Sequence, residues 1–132
     1  MRYVVDTNIW IYAVAGITPV KTFLQRTVEK AWIGYSAISR LEAFGYPGIC
    51  EDEEKALGAI LSTFHEVAVS SPVIDAAIGV RRRYKLKAPD AIIAATALVL
   101  ESALVTRDVE HFSRVDGLGI VNPFDEPADG SG

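Results

Sequence analysis

The stretch from Pro89 to Leu100 constrains this chain most. Residues 91–100 are apolar at every position except Thr96, so a helix opened by Pro89 has no polar face to turn toward water. A helix apolar on all sides is either interior or membrane-spanning. Ten residues fall well short of the roughly 20 needed to cross a bilayer, so this helix has to be packed between other elements. A chain of 132 residues, 50% hydrophobic and 23% charged, has the length and composition to build one core around it.

Around that helix the sequence alternates between short β-branched runs and helical spacing. Tyr3, Val4 and Val5 form a run that stops at Asp6, and residues 8–15 carry helical spacing. Pro19 opens a second helical stretch to about residue 29. A strand is predicted over 32–35, then a helix capped by Ser36 or Ser39 and running through Phe44. Gly45-Tyr46-Pro47-Gly48 is turn chemistry. In residues 52–64, Ala56, Leu57, Ile60, Leu61 and Phe64 share one helical face. A third strand over 66–69 precedes a helix started by Ser71-Pro72 and ending near Tyr84. Leu104, Val105 and Thr106 form a fourth strand, and Ile120-Val121 a marginal fifth. Strands alternating with helices imply an α/β fold, a parallel sheet covered on both faces. The expected organisation is one domain over 1–124 and a flexible tail over 125–132, within a Pro-, Gly-, Asp- and Ser-rich stretch that begins at Pro123.

The compartment is constrained too. Ala13-Val14-Ala15 mimics a signal-cleavage site, but Asp6, Thr7 and Asn8 interrupt the apolar run before it, and Arg2 is the only base ahead of it. Cys50 is the single cysteine, so neither an internal disulfide nor a thiolate zinc site can form. A soluble, cytoplasmic protein is expected.

In a parallel sheet, ligands bind beyond the carboxyl ends of the strands. Asp6 follows the first strand and Asp108 the fourth, so both belong to that edge. Asp90 stands in the first turn of the interior helix, which opens at the same edge only if it enters from that side. Glu42, beside Leu41, borders what reads as the buried face of its helix. Each acid also has a plain structural explanation: helix capping for Asp6 and Asp108, helix-dipole complementation for Asp90, and a solvated carboxylate for Glu42. Together they change the argument, because two carboxylates about 4 Å apart repel by roughly 4 kcal/mol at an effective dielectric near 20. Four gathered acids call for a cation or a proton. Oxygen donors without His or Cys favour Mg²⁺, with Mn²⁺ as substitute, over zinc. The two histidines, His65 and His111, read as ordinary structural or surface residues. The net charge of −4 fits the same picture, since setting the four acids aside leaves 13 of the 17 against 13 bases.

Four blocks, Val4-Val5-Asp6-Thr7-Asn8, Ser39-Arg40-Leu41-Glu42, Pro89-Asp90 through Ala97, and Val105-Thr106-Arg107-Asp108, resemble the PIN-domain nucleases in order and spacing, and most of all the VapC-type toxins of bacterial toxin–antitoxin pairs. The resemblance implies a three-layer α/β/α sandwich with strand order 3-2-1-4-5 and a metal site at the carboxyl edge. It implies Mg²⁺-dependent endoribonuclease activity leaving a 5′-phosphate. Asp6 and Asp90 would then be direct metal ligands, Glu42 a ligand directly or through water, and Asp108 would complete the set, although relatives often carry Asn there. Thr7, Asn8 and Thr106 would orient carboxylates or water. A small cognate antitoxin and a homodimer are implied as partners, with Trp10, Tyr12 and the helix from Pro19 as docking surface or, equally, core.

Other readings stay open. A processing nuclease without a toxin role, or a non-catalytic binding domain, would keep the same fold. An aspartyl-nucleophile phosphohydrolase would want an acid at position 8, where Asn8 stands, and a phospho-receiver a lysine where Arg107 stands. The basic stretch Arg81, Arg82, Arg83, Lys85 and Lys87 either tracks RNA phosphates toward Asp90 or is the solvated face of its helix.

Overall fold

In the computed structural model, residues 1–125 are described; residues 126–132, which hold most of the expected tail, lie outside the described residues. The chain begins with β1 (Arg2–Val5), α1 (Thr7–Val14) and α2 (Thr18–Thr27). β2 (Trp32–Ser36), α3 (Ala37–Phe44) and α4 (Glu51–Ser62) follow, then β3 (His65–Val67) and the helix pair α5 (Ser71–Tyr84) and α6 (Ala88–Val99). β4 (Ala103–Val105), the one-turn α7 (Val109–Phe112), β5 (Ile120–Val121) and a 3-10 turn (Pro123–Asp125) close the described chain. The Pro-, Gly-, Asp- and Ser-rich stretch that begins at Pro123 starts within packed structure. Pro123 is buried, and the Phe124 ring meets Tyr12 edge-on at 5.3 Å.

All strand pairs are parallel and the sheet order is β3-β2-β1-β4-β5. Side-chain alternation along the central strands divides the core in two. Val4 and Leu104 face a cluster with Val73, Ala77, Ile93 and Phe112 from α5, α6 and α7. Their neighbours Val5 and Val105 face the opposite cluster, with Trp10, Phe23, Leu57 and Leu61 from α1, α2 and α4. The result is the three-layer sandwich that the resemblance implies. Trp10 is fully buried, against Tyr35 and Phe64; it belongs to the core and offers no docking surface. The α2 residues Val20, Phe23 and Leu24 are likewise buried, so only the outer side of that helix is open to a partner.

Helix α6 is the interior helix. Ala91, Ile93, Ala94, Ala95 and Ala97 are buried, and Thr96 joins them because its hydroxyl donates to the Ile92 carbonyl at 2.7 Å. That local bond removes the penalty of burying a polar group. Three residues, 100–102, lead from α6 into β4, which fixes the C-terminus of α6 at the amino edge of the sheet. Twelve residues at about 1.5 Å each then carry its first turn, with Asp90, to the carboxyl edge. His65 opens β3 and stacks on Trp32 at 5.3 Å and 5°.

A candidate active site at the carboxyl edge of the sheet

Asp6, Glu42, Asp90 and Asp108 line one cleft of about 790 Å³, inside the range of roughly 300–1,000 Å³ usual for ligand sites. The four acids come from four places: the end of β1, α3, the first turn of α6 and the loop after β4. Asn8 lines the cleft as well, and Ile11, Val14, Tyr46, Ile49 and Leu57 give it an apolar wall. None of Arg81, Arg82, Arg83, Lys85 or Lys87 lines it. Arg83 is paired with Asp116 at 3.2 Å, Lys85 caps α5 in the left-handed conformation, and Lys87 is the N-cap of α6.

Asp6 is the deepest of the four, at 7% exposure. It is also a helix cap, since its Oδ1 accepts the Thr7 backbone N–H at 2.8 Å. Its Oδ2 accepts the Thr106 hydroxyl at 2.9 Å. That hydroxyl in turn accepts the Asp108 backbone N–H at 3.0 Å, so the donor direction runs from Asp108 N through Thr106 to Asp6. The Asp6 carboxyl is pushed up to about 6, first by burial. The bonds from Thr106 and Thr7 oppose the rise, while the charges of Asp90 and Glu42 add to it.

Glu42 is exposed, and so is its neighbour Leu41, at 68%. The expected burial on the Leu41 side is wrong, because α3 turns Ser39 and Ala43 inward instead. Glu42 is nevertheless held. Its Oε1 accepts the Thr7 hydroxyl at 2.7 Å. A carboxylate can only accept, so the single Thr7 hydroxyl proton is spent there. The 2.8 Å contact between Thr7 Oγ1 and Ser39 Oγ then has Ser39 as donor. Ser39, fully buried, was legible as an alternative helix cap and as the first residue of the Ser39–Glu42 block, with no role assigned to its side chain at the site. Its place three residues before Glu42, one turn away on the same helix face, was the available signal. The cap itself is Ser36, whose hydroxyl accepts the Ile38 N–H at 3.2 Å.

His111 stands with Asp90, Nε2 to Oδ2 at 3.2 Å, the two side chains about one-third exposed. Of the two readings of His111, structural or surface, the contact favours the structural one. Its position on α7, three residues past Asp108, gave no periodicity to link it to the helix of Asp90. Asp108 is exposed and makes no side-chain cap bond to α7, so the capping explanation does not apply to it here.

The donor set is all oxygen apart from His111, which suits a hard divalent cation. Among the described residues no group of three or more His, Cys, Asp or Glu side chains closes on a common point. The Asp6 carboxyl is raised first by burial and in smaller part by the charges of Asp90 and Glu42, and a bound cation would favour its ionised form.

The PIN domain family profile matches residues 3–118, while no curated protein matches the chain. Among solved structures, a toxin–antitoxin complex from Klebsiella pneumoniae contains a chain 31% identical, with a TM-score of 0.75, aligned over 92% of this chain and 97% of that one. VapBC2 from Rickettsia felis, bound to a promoter DNA fragment, is similar at 22% identity and a TM-score of 0.83, over 92% and 98%. VapBC-1 from nontypeable Haemophilus influenzae is similar at 23% and 0.77, over 95% and 100%. With a profile match over nearly the whole described chain and a sheet of the same order, this chain belongs to the PIN-domain family.

Proposed function

We propose that the chain is the toxin of a type II toxin–antitoxin pair, a Mg²⁺-dependent endoribonuclease that hydrolyses RNA phosphodiesters. The observation that carries this reading is the placement of Asp6, Glu42, Asp90 and Asp108 in one cleft at the carboxyl edge, with the Asp6 carboxyl raised by burial and by its acidic neighbours. Asp6 and Asp90 would hold the ion, with Glu42 binding directly or through water and Asp108 completing the set. Bound there, Mg²⁺ supplies a Lewis acid for the scissile phosphate and lowers the pKa of a bound water.

The protein's own groups do the rest. Thr106 and the Thr7 backbone N–H hold Asp6 in one orientation, and the Thr7 hydroxyl holds Glu42. Asn8 lines the cleft beside them and can hydrogen-bond substrate or water. Ile11, Val14, Tyr46 and Ile49 line the cleft with apolar surface opposite the acids.

A cognate antitoxin is part of this reading, by analogy with the toxin–antitoxin complex from Klebsiella pneumoniae. A segment both basic and apolar matches a cleft with acidic residues on one side and an apolar wall on the other. A homodimer and a cytoplasmic location complete the proposal; no described helix is long and apolar enough to cross a membrane.

Purified protein incubated with an RNA pool tests the activity. Cleavage leaving 5′-phosphate ends, present with Mg²⁺ or Mn²⁺ and stopped by chelator, is expected. Intact RNA at high protein concentration with either metal would overturn the nuclease reading. Expression should slow growth, and co-expression with the cognate antitoxin should relieve it. Normal growth with abundant folded protein would remove the toxin role alone.

A further inference from the structure

The contacts of His111 extend beyond Asp90. Arg114 places one guanidinium nitrogen 3.3 Å from His111 Nδ1 and its Nε 3.4 Å from the His111 backbone carbonyl. A guanidinium can only donate, so Nδ1 must accept and carries no proton. The ring proton is then on Nε2, which faces Asp90 Oδ2 at 3.2 Å. An imidazolium, or the Nδ1–H tautomer, would set two donors against each other at Nδ1. The hydrogen-bond chain therefore runs Arg114 to His111 to Asp90.

We propose that His111 and Arg114 are positioning residues for Asp90: Arg114 selects the Nε2–H tautomer of His111, and His111 fixes the Asp90 carboxylate. The proposal rests on reading Asp90 as a metal-binding acid. The physical need is local. Asp90 sits in the first turn of α6 with one-third of its side chain exposed, and Ala88, Pro89 and Ala91 beside it offer no side-chain donor. A single bond from His111 uses one of the carboxylate's roughly four acceptor positions and leaves the others for an ion. Asp6 and Glu42 receive the same service from Thr106 and Thr7. His111 and Arg114 also line an adjoining shallow cleft with Asp108 and Glu110, so the pair braces the side of the site built by α7. Partners of this kind typically change metal affinity by about 10–100-fold when removed.

Two measurements on the full chain test this separately from the activity. The first is ¹⁵N NMR of the histidine ring nitrogens in chelator, which reads the tautomer without any metal. His111 should show a protonated Nε2 and a bare Nδ1, and Arg114→Ala should yield a tautomer mixture. A protonated Nδ1 in the wild type would overturn the chain of contacts. The second is Mn²⁺ titration by calorimetry. His111→Ala should bind about 10–100-fold more weakly, and His111→Gln, which keeps an N–H donor, should recover most of the loss. Wild-type affinity in His111→Ala would overturn the positioning role. If the wild type itself fails to bind Mn²⁺, the metal reading of Asp90 falls and the positioning role falls with it; the NMR result still decides the tautomer.

Discussion

Asp6→Asn separates a strained acid from a mere helix cap. In the folded chain the Asp6 carboxyl is raised from 3.8 to about 6; in the unfolded chain it returns to about 3.9. The folded state thus holds the proton more tightly, and the stability this contributes is fully present below about pH 4. It is lost as pH rises through about 6. At about 1.36 kcal/mol per pKa unit, the loss is about 3 kcal/mol, a large share of the roughly 5–15 kcal/mol typical of a domain. Asn carries no charge at any pH. Its side-chain oxygen can still accept the Thr7 N–H, and the Thr106 hydroxyl can turn to accept from the amide, since it has two lone pairs and Asp108 N uses one. Urea unfolding in chelator from pH 4 to 8 reads the difference as midpoint shifts. The variant should gain about 2–3 kcal/mol on wild type between pH 4 and about pH 7.5, on top of a pH-independent offset for the Thr106 hydroxyl, whose proton loses its acceptor. A gap that does not change with pH would refute the account of Asp6 as a burial-strained carboxylate.

Other expectations follow from the same geometry. Asp90→Asn keeps an acceptor for His111 and removes one charge, so it should lose RNA cleavage, bind Mn²⁺ poorly and melt no lower than wild type in chelator; cleavage at the wild-type rate would sink the carboxylate mechanism. Arg81→Gln and Arg82→Gln test the basic stretch without Arg83, which is engaged by Asp116. If both contact RNA, each should reduce the salt slope of binding by about 0.7, and an unchanged slope assigns them to solvent. Gly34→Ala would place a Cβ 2.8 Å from the His65 carbonyl oxygen, where β2 pairs with β3. Overpacking of that kind costs about 1–3 kcal/mol, measurable as a lower urea midpoint.

The elements whose physics is local were the ones legible in the sequence. Pro72 and Pro89 mark true helix starts, the β-branched run at Val4-Val5 marks a true strand, and the apolar run after Pro89 is the interior helix. Asp6 and Asp108 could be assigned to one edge because strand ends fix that in any parallel sheet. Asp90 was conditional until the short 100–102 connection fixed the direction of α6. The misses are all tertiary. Leu41 looks buried by composition yet is mostly exposed, because α3 turns Ser39 and Ala43 inward and packs Ile38 and Phe44 against the two clusters instead. His111 lies 21 residues from Asp90, on a one-turn helix too short to show a period. Trp10 reads as surface or core with equal ease until Tyr35 and Phe64 are seen to enclose it.

The site and the sheet register are one specification. In the β1–β4 ladder Val5 pairs with Val105, and the next residue on each strand is Asp6 and Thr106. The Asp6 N–H continues the ladder to the Val105 carbonyl at 2.9 Å, and the Thr106 N–H continues the next one to Val121 at 3.0 Å. The Thr106 hydroxyl reaches Asp6 because the two residues stand opposite one another just past the paired strands. A slip of β4 by one residue would exchange its two faces as a set: Leu104 and Val105 would trade clusters and Thr106 would point away from Asp6. The two apolar clusters on opposite faces thus hold the register that the carboxylate needs. Glu42 and Asp90 are braced differently, each across two helices, α3 to α1 and α6 to α7. Loosening α7 should therefore disturb Asp90 while leaving Asp6, tied to the sheet, in place.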